Sequence, residues 1–381
     1  MGIKNLSKFL KEHNIGEKLH VSHLKYKKIA IDTPMFFYKF KSCTPDWLGC
    51  FLNLVVFLRS WDIHPLFVFE GTSPPEKAAT REERRKQRQR VVDKTDLIEH
   101  DLNLYCSSGT ITPFLQGVWD SLQLKKKRPL VAKSIVKTPI ISAEQIKDEI
   151  AKRRKYEVSI TSEDTDDLKE LLNRLCVPYI ASVGEAETDC ASLFYAGAVD
   201  YVVSEDTDVL AYLPDSDNER ALKAITSFDT CSQTFHQISK KRVLQVLGLT
   251  ASEFLDFCIM CGTDYNKNIF RVGVEKSYKY ITTYHNIEHV PLDTTILNHE
   301  KVRSMYKIGC DFSLGLQAKW CRTPCKVVVK SELENFFLFH NVGYINIGDV
   351  LTALCDALIV FADSYQIPSG SGADRRVATN R

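Results

Sequence analysis

Two short segments of this sequence are rich in carboxylates. Gly184-Glu-Ala-Glu-Thr-Asp189 opens a segment with helical spacing, and Ser204-Glu-Asp-Thr-Asp208 follows a short apolar run typical of a strand. Carboxylates that are forced together repel one another, and proteins resolve this by raising a pKa or by binding Mg²⁺ or Mn²⁺ through oxygen ligands. Either segment alone would fit helix-dipole acids or an Asp-rich turn, but the two together predict a site for divalent cations.

Such a site would suit phosphodiester hydrolysis. Two cations roughly 3.5–4 Å apart can activate a water and stabilise the leaving oxygen of a phosphodiester. Glu185 and Glu187 are two residues apart, so on a regular helix they would point in widely different directions. The metal hypothesis therefore requires their helix to begin there, because the two side chains can converge only at a first turn.

The charge distribution supports a polyanionic partner. The 381 residues contain 50 Lys and Arg against 48 Asp and Glu, which gives a net charge of only +2. Residues 77–155, however, contain 19 bases and 10 acids, whereas residues 156–219 contain 16 acids and 2 bases. This segregation predicts a basic surface that holds a polyanion beside an acidic centre that needs cations. A solvated basic helix beside an ordinary acidic surface is the alternative.

Composition excludes several protein classes. The longest apolar runs fall far short of the ~18 residues that span a bilayer, and the N-terminal segment lacks the apolar core of a signal peptide. We therefore expect an intracellular protein, nuclear or cytoplasmic, without a membrane partner. Its twelve cysteines are expected to be reduced. Cys258 and Cys261 fit a buried helix face better than a zinc site, and the pair Cys321 and Cys325 has no matching second pair.

The elements that position these acids predict an α/β fold with a doubly wound, mostly parallel sheet. Strands are expected at 27–32, 65–70, 179–181 and 200–204, and helices at 47–61, 164–176 and 185–197. Since open parallel sheets bind ligands at the carboxyl ends of their strands, Asp32, Glu70, Asp206 and Asp208 would lie at one edge.

The remaining segments are less regular. An exposed basic helix is predicted from about 76 to 90, and a long, partly mobile insertion without clear periodicity from 106 to 141. The chain is expected to be mostly helical after 252, and its tail from 368 to be disordered by composition.

Several motifs resemble, in order and spacing, the flap endonuclease and XPG-type family of structure-specific 5′ nucleases. They are Met1-Gly-Ile-Lys-Asn-Leu6, Ile29-Ala-Ile-Asp32, Phe67-Val-Phe-Glu-Gly71, Gly184-Glu-Ala-Glu187, Glu205-Asp-Thr-Asp208 and Gly262-Thr-Asp-Tyr265. The resemblance covers a little over half of the chain, roughly residues 1–90 and 160–285. It implies a PIN-like nuclease core with a helical arch and a helix-two-turn-helix element that binds duplex DNA.

The resemblance also implies the site residues. Ligands around one Mg²⁺ would be Asp32, Glu70, Glu185 and Glu187, and those around a second would be Asp206, Asp208 and Asp264, some acting through water. Mn²⁺ would substitute for Mg²⁺. Lys77 and Arg81, i and i+4 on one helix face, would neutralise and orient the scissile phosphate.

Further residues are implied to contact DNA. They are Gly2, Tyr38, Arg84, Arg85, Arg88, Arg271, Gly273 and Lys276, and Arg90 continues the same basic helix. A base could stack on Tyr38, although a core tyrosine is the alternative. For Arg84, Arg85, Arg88 and Arg90 the alternative is a solvated charged helix. The helix-two-turn-helix at 269–277 would bind phosphates and a K⁺ ion.

The chain also departs from the family pattern. Glu70 stands where flap endonucleases usually have Asp, a choice shared with the Holliday-junction-resolving branch. Arg271 replaces an expected glycine, which bears on the K⁺ site, and Asp189 is an additional acid. No sliding-clamp motif is found in the tail, so clamp recruitment is not expected.

These features together predict a Mg²⁺-dependent structure-specific 5′ flap endonuclease and 5′–3′ exonuclease acting on branched or flapped DNA in replication, repair or recombination, as a monomer on flaps. The alternatives are a junction resolvase, acting as a dimer, and a catalytically silent DNA-binding scaffold. The expected regions are an N-terminal nuclease region at 1–92, an insertion that continues the arch at 93–160, an internal nuclease region at 161–250, the helix-two-turn-helix at 251–290, a C-terminal helical region at 291–364 and a tail at 365–381.

Overall fold

The computed structural model describes residues 2–126, 141–215, 220–309 and 330–342. These residues divide into two compact units. The first unit falls within Met1–Phe40, Asp46–Lys77 and Thr161–Arg381, and the second comprises Lys41–Pro45 and Ala78–Ile160.

The helices and strands are numbered in chain order within the described residues. The helices are α1 (Leu6–Glu12), α2 (Thr33–Cys43), α3 (Trp47–Ser60), α4 (Ala78–Ser108), α5 (Pro113–Lys126), α6 (Ala143–Arg154), α7 (Ser162–Arg174), α8 (Ala186–Tyr195), α9 (Lys240–Leu247), α10 (Ala251–Cys261), α11 (Val274–Tyr284), α12 (His299–Met305) and α13 (Lys330–Phe339). The strands are β1 (Glu17–His20), β2 (Lys28–Asp32), β3 (His64–Phe69), β4 (Tyr179–Ala181), β5 (Tyr201–Val203), β6 (Leu213–Pro214), β7 (Lys223–Asp229), β8 (Thr234–Ser239) and β9 (Lys307–Ile308).

A seven-stranded sheet in the order β1-β8-β7-β5-β2-β3-β4 forms the centre of the first unit. The pairs from β7 to β4 are parallel, and β8 is antiparallel to both β7 and β1. The prediction of a doubly wound, mostly parallel sheet is therefore confirmed. The antiparallel strands β1 and β8 were not predicted, because sequences such as Thr234-Phe-His-Gln-Ile-Ser239 carry too many polar residues to stand out as buried strands.

Apolar side chains explain why the predicted elements form where they do. All six residues of β3 are buried, as are four of the five residues of β2, and this matches strands covered by helices on both faces. Helices α7 and α10 each begin with a capping box, formed by Thr161 with Asp164 and by Thr250 with Glu253. The strands and helices predicted around the acidic motifs are confirmed to within a few residues.

The second unit corrects the expectation for residues 106–141. Helix α4 is 31 residues long and reaches Ser108, and α5 follows it from Pro113. Proline is favoured at a first helical position, and the Thr112 hydroxyl accepts a hydrogen bond from the Leu115 N–H. The expectation of an irregular insertion is therefore wrong over residues 106–126. Residues 127–140 lie outside the described part of the chain.

A small apolar core joins α4, α5 and α6. Its buried members recur at helical spacing and are Ile98, Leu102, Leu115, Val118, Trp119, Ile141, Ile146 and Ile150. Arg154 adds ion pairs to Asp96 and Glu99, each 2.6 Å long, between α6 and α4. The N-terminal half of α4 contributes nothing to this core, so its basic side chains are left to face solvent.

Other expectations have mixed outcomes. Cys258 and Cys261 are buried free thiols on α10, as predicted, whereas Cys321, Cys325 and the tail lie outside the described residues. No single helix in the described ranges is long and apolar enough to cross a membrane, although the bent pair α9 and α10 passes by length and composition alone.

Candidate active site

Four adjacent strands bring acidic residues to one edge of the sheet. Asp32 is the last residue of β2, Glu70 follows β3 directly, Glu185 lies in the segment after β4, and Asp206 follows β5. Because β5, β2, β3 and β4 are neighbours and parallel, their carboxyl ends meet at this edge. Asp32, Glu185, Asp208 and Asp264 are each less than 9% exposed, whereas Glu187 and Asp206 are partly buried and Glu70 is exposed.

The required convergence of Glu185 and Glu187 is present. Helix α8 begins at Ala186, so Glu185 is its N-cap residue and Glu187 lies in its first turn. The Lys77 ammonium lies 2.5 Å from Glu185 Oε1 and 3.5 Å from Glu187 Oε1, which shows that both carboxylates face the same cation. The Ala186 N–H also donates to Glu70 Oε2 at 3.0 Å and thereby fixes the acid that follows β3.

Lys77 lies in a different element from the one predicted. It ends a 3₁₀ turn, Pro75–Lys77, and α4 begins only at Ala78, since the two prolines at 74 and 75 hold the preceding backbone in a turn. Its Nζ is also 3.7 Å from Asp264 Oδ2. Burial lowers the pKa of Lys77, but the carboxylates of Glu187 and Glu185 raise it by more, so the net pKa lies above its ordinary value. Lys77 is therefore a permanent cation inside the cluster.

The N-terminal segment packs directly against Asp206 and Asp208. The Ile3 N–H donates to Asp208 Oδ1, and the Asp208 N–H donates to Asp206 Oδ1 at 3.2 Å. Gly2 has a φ of +84°, and a Cβ added there would lie 1.8 Å from Asp206 Oδ1. Only glycine fits this position without moving an acid, so Gly2 lies at the candidate site.

Burial and mutual repulsion perturb the acids. The pKa of Asp32 is raised to about 7, chiefly by burial and also by Glu70 and Asp206, while a hydrogen bond from Ser204 opposes the shift. The pKa values of Glu187 and Asp208 are raised well above their ordinary range by burial and by Asp206. One ammonium does not balance this charge, and additional positive charge would relieve it.

The donor set fits a hard divalent cation. The seven sequence-predicted ligands are all carboxylates, the oxygen donors that Mg²⁺ prefers, with no Cys or His among them. In the described ranges no three His, Cys, Asp or Glu side chains form a ready-made metal site. Three of the seven instead face the Lys77 ammonium, so a cation bound here would compete with that lysine.

The sequence-predicted DNA contacts are distributed over both units. Tyr38 is 38% exposed on α2, which is the helix that follows Asp32, so the alternative of a core tyrosine is wrong. The arginines of α4 belong to the second unit and are Arg81, Arg84, Arg85, Arg88 and Arg90. Arg85 is paired with Glu82 at 2.8 Å, which leaves Arg88 as a more available cation on this helix.

The turn before α11 keeps a glycine-like shape at Arg271. Its φ is +59°, in the left-handed region that glycine favours, and its carbonyl accepts from the Lys276 ammonium at 3.2 Å. Gly273 is the N-cap of α11. The backbone at 271 thus keeps the left-handed conformation even though arginine stands there, and the Lys276 ammonium holds the Arg271 carbonyl.

Sequence analysis missed two features of the site. Tyrosine hydroxyls reach three of the acids, and the tyrosines are Tyr212, Tyr265 and Tyr306. A groove of about 470 Å³ runs beside α1, lined by residues that include Lys8, Lys11 and Thr207. Tyr265 belongs to the quoted Gly262-Thr-Asp-Tyr265 motif and could have been found, whereas Tyr306 is 98 residues from Asp208 and has no local pattern.

Two family models and a curated relative match this chain. Residues 1–91 match the XPG N-terminal domain and residues 176–264 match the XPG I-region. A probable RAD2-like endonuclease of Invertebrate iridescent virus 3 is 48% identical over 373 residues, which cover 93% of this chain and 98% of that protein.

Two solved structures share the fold. The catalytic core of Rad2 in complex with DNA substrate has a TM-score of 0.54 at 16% identity, and the match covers 93% of this chain and all of that one. Flap endonuclease-1 from Methanococcus jannaschii also has a TM-score of 0.54, at 20% identity, with 91% and 96% coverage.

Proposed function

The chain belongs to the XPG and RAD2-like family of endonucleases, hydrolases that act on DNA, and we propose that it is a Mg²⁺-dependent 5′ flap endonuclease and 5′–3′ exonuclease. It would cut near a junction of duplex and a 5′ single strand, in replication, repair or recombination. One observation carries the proposal. Carboxylates at the carboxyl ends of four parallel strands lie at one edge of the sheet, and there a buried lysine, Lys77, contacts Glu185 and Glu187.

The acids have distinct proposed roles. One Mg²⁺ would be held by Asp32, Glu70, Glu185 and Glu187, and a second by Asp206, Asp208 and Asp264. Bound there, Mg²⁺ supplies activation of water and charge compensation for the phosphodiester, and Mn²⁺ substitutes for it. Burial raises the pKa values of Asp32, Glu187 and Asp208, and this supports the assignment because a bound cation would relieve the cost of holding these groups as anions.

The chain's own cations would orient the phosphate. Lys77 is already desolvated beside the acids, so its ammonium can neutralise and orient a scissile phosphate without first losing a hydration shell. The resemblance of the Lys77 and Arg81 pair to the family's basic pair implies that Arg81 would also neutralise and orient this phosphate. Removal of the Lys77 charge should therefore slow the chemical step more than it weakens DNA binding.

Phosphate contacts would fix the position of the DNA, and its shape would supply specificity. Arg84, Arg85 and Arg88 would hold the 5′ strand, and Tyr38 is exposed enough to stack on a base. The groove beside α1 is lined by Lys8 and Lys11, which supply further positive charge, and by Glu205 and Thr207, the two residues that flank Asp206 in the chain.

Duplex DNA is assigned to the predicted helix-two-turn-helix. Arg271, Gly273 and Lys276 would contact its phosphates, and the positive φ at Arg271 supports a turn whose shape survives the loss of glycine. K⁺ binding at this turn remains a prediction. We propose that the regions predicted from the sequence are the functional divisions of the chain. They are 1–92, 93–160, 161–250, 251–290, 291–364 and 365–381.

A junction resolvase is the second candidate. Glu70 favours it, because this acid is shared with the Holliday-junction-resolving branch. A resolvase would act as a dimer on a four-way junction, whereas the flap enzyme would act as a monomer.

Substrate choice separates the two candidates. A 5′-labelled flap and a labelled four-way junction of the same flanking sequence are incubated with the purified protein, with Mg²⁺ and with EDTA. The proposal predicts Mg²⁺-dependent incision of the flap within a few nucleotides of the duplex, at a higher rate than on the junction. Exclusive, symmetrical incision of the junction would establish the second candidate instead.

A further inference from the structure

Three tyrosine hydroxyls donate hydrogen bonds to three different acids of the candidate site. Tyr265 donates to Glu185 Oε2, Tyr212 donates to Glu187 Oε1 at 3.3 Å, and Tyr306 donates to Asp208 Oδ2 at 3.3 Å. These acids are proposed ligands of both cations. The tyrosine cluster, defined as Tyr212, Tyr265 and Tyr306, thus touches each half of the site.

The three rings form one packed group. The ring centroids of Tyr212 and Tyr306 are 5.1 Å apart, and those of Tyr265 and Tyr306 are 5.5 Å apart. Tyr212 and Tyr306 are fully buried. They come from distant parts of the chain and immediately precede β6 and β9, which pair in parallel, and the Leu213 N–H donates to the Tyr306 carbonyl at 2.8 Å. This small two-stranded sheet therefore fixes the two rings side by side.

Tyr212 is held from several directions. Its carbonyl accepts from the Lys240 ammonium at 2.6 Å and from the Tyr195 hydroxyl at 3.0 Å. Its hydroxyl also pairs with Thr188 Oγ1 at 2.8 Å, one residue after Glu187. Because these contacts fix the position of the Tyr212 hydroxyl, its hydrogen bond also fixes the orientation of the Glu187 carboxylate.

We propose that the tyrosine cluster is a set of positioning residues that orients the carboxylates of Glu185, Glu187 and Asp208 for cation binding. The inference rests on the proposed function. Each hydroxyl donates to one lone pair of its carboxylate and fixes the side-chain rotamer. A carboxylate has about four lone-pair sites, so a cation can still bind to it, in competition with Lys77 at Glu185 and Glu187. In this role the hydroxyls act through the three carboxylates rather than directly on the substrate or the cation.

The proposal predicts a specific loss in conservative variants. Tyr212→Phe and Tyr306→Phe remove a single hydroxyl and keep the buried ring. Partners of this kind typically contribute 10–100-fold to metal affinity, so each variant should bind Mn²⁺ about 10-fold more weakly, and the double variant more weakly still. The Mg²⁺ concentration for half-maximal cleavage should rise by a similar factor, while kcat at saturating Mg²⁺ should stay close to that of the wild type.

Mn²⁺ is the probe, and its free concentration is measured by electron paramagnetic resonance on the full chain without DNA. Tyr278→Phe is the matched control, because the Tyr278 hydroxyl donates at 2.8 Å to the Leu247 carbonyl, away from the acids. It should lose a hydrogen bond and some thermal stability without a change in Mn²⁺ affinity. If the cluster served only the stability of the fold, Tyr212→Phe and Tyr306→Phe would behave like Tyr278→Phe and lose thermal stability without a loss of Mn²⁺ affinity.

The outcomes separate this inference from the proposed function. If the wild type binds Mn²⁺ and cuts DNA but Tyr212→Phe and Tyr306→Phe keep its Mn²⁺ affinity, the positioning role is wrong and the proposed function stands. If the wild type neither binds Mn²⁺ nor cuts DNA, the proposed function itself fails. Should either variant melt below the assay temperature, Tyr265→Phe, in which the tyrosine is only partly buried, gives the same comparison.

Discussion

The Lys77 ammonium lies 2.5 Å from Glu185 Oε1, and both side chains are almost fully buried. A cation in this position compensates acids that would otherwise repel one another in a medium of low dielectric constant. Positive charge beside these acids therefore stabilises the fold. Lys77 supplies that charge in the metal-free protein, and a bound cation would supply it as well.

Lys77→Met should therefore destabilise the metal-free protein. Breaking a buried pair by removal of one partner typically costs about 3–5 kcal/mol, since the remaining charge is uncompensated. Addition of Mg²⁺ should then raise the melting temperature of Lys77→Met by more than it raises that of the wild type. Thermal melts with EDTA and with Mg²⁺ measure both quantities.

Lys39→Met is the matched control for that variant. Lys39 lies at the same distance, 2.5 Å, from Glu205 Oε1, but both side chains are 45% exposed. Exposed pairs contribute at most about 1 kcal/mol, so this variant should melt close to the wild type. Equal destabilisation by the two substitutions would contradict the proposed compensation by Lys77.

Glu187→Gln should have the opposite effect on stability. Burial and the neighbouring Asp206 raise the pKa of Glu187, so its ionised form is unfavourable in the folded protein. A neutral amide of the same shape removes that penalty. In EDTA the melting temperature should rise by about 2–4 °C per kcal/mol gained, and the stabilisation by Mg²⁺ should shrink. Glu170→Gln is the control, because Glu170 forms an exposed ion pair with Arg174. It should leave the melting temperature and the stabilisation by Mg²⁺ nearly unchanged.

Gly2→Ala should damage the site from the N-terminal side. The added Cβ would overlap Asp206 Oδ1, so Asp206 or the segment around Ile3 must move. A misplacement of about 1 Å can cost on the order of 100-fold in rate, and cleavage should fall accordingly. Gly248→Ala introduces a side chain at a similar φ of +64° with no atom within 4 Å, and it should lower stability without slowing cleavage. Wild-type cleavage by Gly2→Ala would contradict the packing of Gly2 against the acids.

Stability without metal should depend on pH through Asp32. Its pKa is about 7 in the folded protein against 3.8 ordinarily, so the folded state binds the proton more tightly than the unfolded state. The contribution of Asp32 is fully present below about pH 4 and is lost as the pH rises through 7. Asp32→Asn should remove up to about 4 kcal/mol of this dependence, measured by chemical denaturation in EDTA between pH 4 and 8.

The titration of His64 changes the stability with pH in the opposite direction, so its contribution must be separated from that of Asp32. Burial lowers the pKa of His64 to about 4, so its contribution is present above about pH 6.5 and is lost as the pH falls through 4. The difference between wild type and Asp32→Asn isolates the carboxylate. A difference that does not change between pH 4 and 8 would show that the pKa of Asp32 is not raised.

Local patterns were sufficient to predict the acid-bearing edge of the sheet. Asp32 and Glu70 end short apolar runs that are typical of buried parallel strands, and the glycine and acids at 184–187 mark the start of a helix. Helix geometry alone predicted that Glu185 and Glu187 can converge only if their helix begins there, because residues two apart on a regular helix point in different directions.

The remaining features depend on contacts between distant residues. Tyr306 reaches Asp208 only because β6 and β9 pair, and no periodicity in either segment encodes that pairing. Helix α5 was missed because Pro113 and Gly117 indicated a loop, although proline is favoured at a helix start. Lys77 was placed on the following helix because helical spacing to Arg81 cannot distinguish a 3₁₀ turn from a first α-helical turn.

Single-turnover cleavage of a 5′-labelled flap by the wild type and by Asp208→Asn measures whether the buried carboxylates support Mg²⁺-dependent incision. Asp208 is a proposed ligand, buried at the carboxyl edge of the sheet. We expect rapid incision by the wild type in Mg²⁺, none in EDTA, and a loss of at least about 100-fold in Asp208→Asn, with flap binding retained in a mobility-shift assay. Incision by Asp208→Asn at the wild-type rate, or incision by the wild type in EDTA, would contradict this expectation.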